Sequence, residues 1–184
     1  GWWAQVGREA RMLREHAGII DISNFAKYRV TGKGAEDWLN AVFANRIPSV
    51  VGRSCLTPLI GKRGGIAGDA TVTRLAEDEF WIVSSGMAER YQKRFYDAVP
   101  LPEGTTFETL TNDWCGFNVA GPKSRDLIQR LTNESLDTAN WPFMRSKRIE
   151  IAGVDVMALR VSFTGDLGWE LHCRSEDQLA LYTA

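Results

Sequence analysis

Residues 63–74, Arg63-Gly64-Gly65-Ile66-Ala67-Gly68-Asp69-Ala70-Thr71-Val72-Thr73-Arg74, pass from a glycine-rich turn straight into an alternating strand. Gly64 and Gly65 let the chain reverse, because a residue without Cβ adopts positive φ at little cost. Gly68 leaves room for a ligand or another backbone to come close. From Ala70 onward the period of two sends Ala70, Val72 and Arg74 to one face and Thr71 and Thr73 to the other. Asp69 stands at the join. The residues leave it two uses. One is hydrogen bonding to the turn backbone, the commoner role of Asp. The other is a carboxylate, buried or half-buried among small residues, that meets a small molecule.

The rest of the chain must supply a core around this hairpin. Its 184 residues suit one ordinary domain or two small ones sharing an interface. Hydrophobic residues make up 44% and charged residues 24%, a globular balance. A net charge of -1 without a block of like charges argues against a nucleic-acid or anionic-membrane surface as main partner. No apolar run approaches the roughly 18 residues of a membrane span. The start, Gly1-Trp2-Trp3, leads into a charged helix rather than a secretory leader. Cys55, Cys115 and Cys173 form no CxxC pair and read as reduced, buried thiols of a reducing compartment. His16 and His172 lie far apart, so no metal site is expected. His172 and Cys173 are strand neighbours and point to opposite faces, which sets aside a Cys–His nucleophile pair. Most of the seven tryptophans are expected in the core or at a domain contact, with one or two free to stack on a flat ligand.

Along the chain, helical spacing predicts a helix over 2–17, with Trp3, Val6, Ala10, Leu13 and Ala17 on its apolar face. Short strands follow at 19–23 and 25–30. A helix over 35–45 buries Trp38, Leu39, Val42 and Phe43. Thr31-Gly32-Lys33-Gly34 lacks the spacing of a phosphate loop. The segment 66–75 is predicted to pair with 79–84, and a helix to span 86–98. Pro100 and Pro102 place a boundary between subdomains 1–99 and 100–184. The second half continues as strand 115–119, helix to about 131, loop 133–144, hairpin 148–161 around Gly153, a glycine-punctuated turn into a strand at 169–173, and a last helix from Ser175. That order suits an α+β fold with helices on one side of its sheets. The last helix runs to Ala184 without a cap, as in a piece of a longer protein.

Two stretches share a form: Gly64–Asp69 and Thr164–Glu170 each carry one acid on a glycine-rich turn into a strand. A carboxylate accepts two parallel hydrogen bonds from an amidine-like edge, such as that of a pterin or guanine ring. For Glu170 the alternative is an exposed strand position beside a buried Trp169.

Phe163-Thr164-Gly165-Asp166-Leu167-Gly168-Trp169-Glu170 resembles the folate-site motif of the glycine-cleavage T-protein (aminomethyltransferase) superfamily. Gly64-Gly65-Ile66-Ala67-Gly68-Asp69 resembles its other signature, and Gly18-Ile19-Ile20-Asp21-Ile22-Ser23 its N-terminal strand. More narrowly, Asp21–Tyr28 and Arg160–Gly165 are similar to the T-protein-like module of dimethylglycine and sarcosine dehydrogenases. The likeness covers nearly the whole chain.

The resemblance implies a T-protein-like folate-binding fold of antiparallel or mixed sheets, with a ferredoxin-like second half and with the family's later arginine and C-terminal barrel outside this chain. It implies a tetrahydrofolate site. Asp69 would be the catalytic acid near the reactive folate nitrogens, and Glu170 the holder of the pterin ring. Phe25, Thr71, Ser84 and Phe163 match positions near the folate; the family commonly has Asn at the position of Ser84 and Tyr at that of Phe163. The implied activity is capture of the carbon of an oxidised N-methyl amine as 5,10-methylenetetrahydrofolate. FAD would sit in an upstream flavin domain of the parent protein. Two alternatives stand beside it: a stand-alone aminomethyltransferase working with a lipoyl carrier protein, or a related demethylase; and a non-catalytic folate-binding or regulatory relative. A cytoplasmic or, in a eukaryote, mitochondrial-matrix location follows, and homo-oligomerisation is left open.

Overall fold

A computed structural model describes all of residues 1–184. The chain divides into two compact units, Asn24–Asp113 and a discontinuous one made of Gly1–Ser23 with Trp114–Ala184.

The first of these is a five-stranded antiparallel sheet with helices on one face. Its strands are β2 (Ala26–Thr31), β3 (Ser54–Ile60), β4 (Ile66–Ala76), β5 (Glu79–Ser84) and β6 (Thr106–Thr109), in the order β3-β4-β5-β2-β6. The helices are α2 (Ala35–Val42) and α3 (Glu89–Tyr96). The expected hairpin forms, with Ala70 opposite Ser84 and Val72 opposite Ile82. Period-two alternation delivers Ala26, Tyr28 and Val30 from β2, Ala70 and Val72 from β4, and Phe80 and Ile82 from β5 to one buried face. Trp38 and Leu39 of α2 and Tyr96 of α3 close over that face. Tyr28 packs edge-on to Tyr96 with centroids 5.3 Å apart, and stacks on Phe107 at 5.1 Å. Burying such aromatic surface stabilises the unit by roughly 25 cal/mol per Å². Arg74 is almost wholly buried and satisfied: it donates to Glu36 at 2.6 Å, to the Pro48 carbonyl at 3.2 Å and to the Glu77 carbonyl, and its guanidinium lies 5.0 Å from the Phe80 ring centroid.

The second unit is also a five-stranded antiparallel sheet. Its strands are β1 (Gly18–Asp21), β7 (Trp114–Ala120), β8 (Arg145–Ile151), β9 (Val154–Arg160) and β10 (Gly168–Arg174), in the order β1-β7-β10-β9-β8. Here α1 (Trp2–Glu15), α4 (Ser124–Gln129) and α5 (Gln178–Thr183) are the helices. Its core gathers Cys115, Phe117 and Val119 of β7, Trp169, Leu171 and Cys173 of β10, and Val156 and Ala158 of β9, under Ile128 and Leu181. Trp169 is sealed in, edge-on to Trp141 at 6.3 Å, with the guanidinium of Arg160 5.7 Å from its ring centroid.

Three sequence expectations change. The division falls at Ser23/Asn24 and Asp113/Trp114, not at 99/100, because β6 pairs with β2 (Thr109 opposite Tyr28) and stays in the first unit, while β1 pairs with β7 (Gly18 opposite Ala120) and carries the N-terminus into the second. In the second half β10 lies between β7 and β9, so β8, β9 and β10 run as a meander, where ferredoxin order would put the first strand beside β9. The helix at the N-terminus forms, but it buries no residue: Trp3, expected inside, is 77% exposed.

Candidate functional site

In the unit 24–113, the glycine turn closes β3 onto β4. The Gly61 amide donates to the Gly65 carbonyl at 2.8 Å and the Gly64 amide to the Gly61 carbonyl at 2.8 Å, with Gly64 at φ 81°. The backbone therefore satisfies the turn itself. Asp69, opposite Pro58 in the strand pair, accepts no hydrogen bond from it. The first of the two uses left open above is thus absent. Asp69 is exposed rather than buried, so its charge costs no desolvation within the chain. The close approach expected at Gly68 is made by a side chain of α3: a Cβ at Gly68 would lie 2.4 Å from Gln92 Nε2.

Register decides which expected residues meet. Thr71 and Asp69 lie on the face away from the unit's core, and Thr71 is aligned through Val83 with Lys27. Lys27 is fully buried and its ammonium donates to the Phe25 carbonyl at 2.8 Å. That bond fixes the half-buried Phe25 at the entrance to β2. Ser84 goes elsewhere. It is opposite Ala70 and Ala26, hence on the core face, buried, with the phenols of Tyr28 and Tyr96 turned towards it. The structure does not bring Ser84 to the face of Asp69 and Thr71. Burial pushes the Tyr28 phenol up to about 12 and Tyr96 up as well.

Asn24 and Phe25 depend on a glycine that sequence reasoning passed over. A Cβ at Gly86, just after β5, would lie 1.7 Å from the Asn24 carbonyl oxygen. Only a residue without a side chain lets this backbone pair come together.

In the other unit, Ser162 to Leu167 make the turn into β10. The Gly165 amide donates to Ser162 Oγ at 2.8 Å, with Gly165 at φ 85°, and Thr164 Oγ1 donates to Asp166 at 2.6 Å. Phe163 projects fully into solvent, a free aromatic face. Gly168 then packs tightly: a Cβ there would lie 2.7 Å from the Val119 carbonyl oxygen. Glu170 follows a fully buried Trp169 but is not the exposed position weighed above, since its side chain is only 15% accessible. Its Oε2 lies 3.3 Å from Nε2 of the fully buried His172, and Oε1 keeps its lone pairs for another donor. His172 fits because position 116 is glycine; a Cβ there would be 2.9 Å from the imidazole Nδ1. The full burial of His172 beside Glu170 and of Lys27 beside Phe25 was not expected from the sequence. Neither carried a signal of its own, because β2 also holds Arg29 and β10 also holds Glu170 and Arg174. No cluster of three or more metal-ligating side chains is present, and no helix is long and apolar enough to cross a membrane.

The fold is α+β with two antiparallel sheets, and each unit carries one carboxylate on a strand entered through a glycine turn, Asp69 in one and Glu170 in the other. The chain belongs to the GCVT N-terminal domain family, whose model matches residues 1–184. It is 32% identical over 183 residues to the mitochondrial dimethylglycine dehydrogenase of Mus musculus, covering 98% of this chain and 21% of that protein. It is 27% identical to an aminomethyltransferase of Anoxybacillus flavithermus, covering all of this chain and 52% of the relative. The chain thus spans about a fifth of the dehydrogenase and about half of the aminomethyltransferase. The fold matches the crystal structure of glycine cleavage system aminomethyltransferase T from Bartonella henselae with a TM-score of 0.81 at 23% identity, over 96% of this chain and 47% of that one.

Proposed function

We propose that the chain is the tetrahydrofolate-binding, one-carbon-transfer module of a dimethylglycine- or sarcosine-dehydrogenase-like flavoenzyme, with FAD held by a domain outside it. The observation that carries this reading is Glu170: a largely covered carboxylate, held by strand pairing on both sides of β10, with Oε1 unclaimed. An amidine-like ring edge offers the N–H donors such a group needs. Tetrahydrofolate, when bound, supplies the nitrogens that take up the one-carbon unit as 5,10-methylenetetrahydrofolate.

The donor set fits that ligand. Glu170 orients the pterin through its carboxylate, and Phe163 offers an aromatic face without the hydroxyl usual in the family. Thr71 shares the strand and face of Asp69, and Phe25 stands at the entrance to β2, beyond β5 in the same sheet. Asp69 is the catalytic acid: being exposed and without a hydrogen bond from its turn, it is free to take a proton at one oxygen and deliver it to the departing amine. A positioned general acid–base is worth about 10²–10⁴-fold. Ser84 contributes from the core side, as a support for β5 rather than as a direct contact. The reaction belongs to the cytoplasm, or to the mitochondrial matrix in a eukaryote.

Fluorescence titration with 5-formyltetrahydrofolate tests the reading, on this chain and on the full-length parent. Saturable tryptophan quenching, lost in Glu170→Gln and kept in Asp69→Asn, is the expected result. Folded protein that shows no quenching in either form refutes it. The greater identity to the dehydrogenase, 32% against 27%, favours this assignment over a stand-alone aminomethyltransferase. A flavin-binding domain upstream in the parent protein is the decisive check on that choice.

A further inference from the structure

The core of the second unit contains a pair of thiols that the folate reading does not use. Cys115 of β7 and Cys173 of β10 are directly opposite in the antiparallel register. Both side chains face the core, at 2% and 0% exposure. Their sulfurs are 3.2 Å apart, about 1.2 Å beyond the length of a disulfide bond. Opposed Cβ atoms in an antiparallel pair lie roughly 4.5–5.5 Å apart, and a disulfide asks for roughly 3.5–4.5 Å, so a small closure of the strands suffices. The neighbouring core residues Phe117 and Leu171 hold both strands in this register. The third cysteine, Cys55, lies in the other unit and outside this core.

We propose that Cys115 and Cys173 are an oxidative modification site, forming a reversible intrachain disulfide across β7 and β10. With hydrogen peroxide as oxidant the step balances. One thiol is oxidised to a sulfenic acid as peroxide is reduced and a first water leaves. The second thiol then displaces hydroxide from that sulfur, the S–S bond forms, and a second water leaves. Two hydrogens are lost from the protein in all. The bond would tie β10 to β7 three residues beyond Glu170, closing a loop between positions 58 apart. Because Cys173 points to the core and Glu170 to the opposite face, the link stiffens the strand that carries Glu170 without occupying its face. Burial slows the reaction, since the thiolate is the reactive form and low-dielectric surroundings disfavour it.

The test uses the whole chain in a Cys55→Ser background, reduced and then exposed to hydrogen peroxide, both in buffer and in urea below the unfolding transition. Intact mass should fall by two hydrogens. Non-reducing peptide mapping should join the peptides holding Cys115 and Cys173, and the unfolding midpoint should rise and return on adding dithiothreitol. Cys115→Ser and Cys173→Ser should each abolish the mass change. Oxygen addition without linkage overturns the proposal, as do two titratable thiols surviving peroxide under both conditions. The proposal stands or falls independently of the folate reading, because no folate enters the measurement.

Discussion

Replacing Gly86 by Ala puts a methyl carbon 1.7 Å from the Asn24 carbonyl oxygen and 2.9 Å from the carbon that bears it. Ordinary contact begins at 3.4 Å, so one backbone segment must retreat by about 1.7 Å. No side-chain rotation relieves this, because the obstacle is main chain. Overpacking by a methyl costs about 1–3 kcal/mol where the surroundings yield, and a backbone obstacle puts the substitution at or above the upper end. The unit concerned, Asn24–Asp113, has 90 residues, and 1 kcal/mol shifts the midpoint of a domain that size by about 4–8 °C. A loss of about 3 kcal/mol thus lowers the melting temperature by about 12–24 °C. Differential scanning calorimetry of the 184-residue chain reads the shift, and urea unfolding supplies the free energy. Phe25 follows Asn24, so folate affinity should fall even at temperatures where the variant stays folded. A melting temperature within about 2 °C of the parent would refute the account of how β2 is anchored.

Three further outcomes are expected. Arg74→Met removes the partner of Glu36 and of the Pro48 and Glu77 carbonyls; the loss should be about 2–4 kcal/mol by denaturant unfolding, since the stranded acceptors sit in or beside the core. Tyr28 and Tyr96 bind their protons more tightly in the folded chain than a free phenol does at 10.0, Tyr28 up to about 12. The stability they contribute is therefore complete below about pH 10 and is lost as pH rises through the folded values. Tyrosinate absorbance should show these two of the four tyrosines ionising last, together with unfolding. Gly116→Ala crowds the imidazole of His172, 2.9 Å away, and should loosen its contact with Glu170. Folate affinity should then drop, and a double substitution with Glu170→Gln should add nothing further.

Local pattern carried the hairpin β4–β5, because alternation over 66–75 and the acidic turn at Glu77-Asp78 are readable without partners. The helices 35–42 and 89–96 and the turn into β10 followed in the same way from spacing and glycine placement. The strand β6 carries no legible sequence signal, being a four-residue edge strand with only one large apolar side chain. Lys27 and His172 looked like ordinary strand substituents, because nothing in a single strand shows how deeply its face is covered.

What the amino-acid order determines by itself is therefore local: turns where glycine permits positive φ, strands where apolar residues alternate, and the two motifs that carry Asp69 and Glu170 with their membership of one family. Tertiary structure alone decided the rest. The pairing of β1 with β7 joins Gly18 to Ala120, and no short-range signal reaches across that separation. Strand register sent Ser84 to the core and Thr71 to the opposite face, since a side chain's direction in a sheet is set by its partner strands and not by its own identity. Register also set Cys115 against Cys173, and packing drew the Asn24 backbone onto Gly86. Each of these depends on which distant segments become neighbours, and that is settled only when the two cores close.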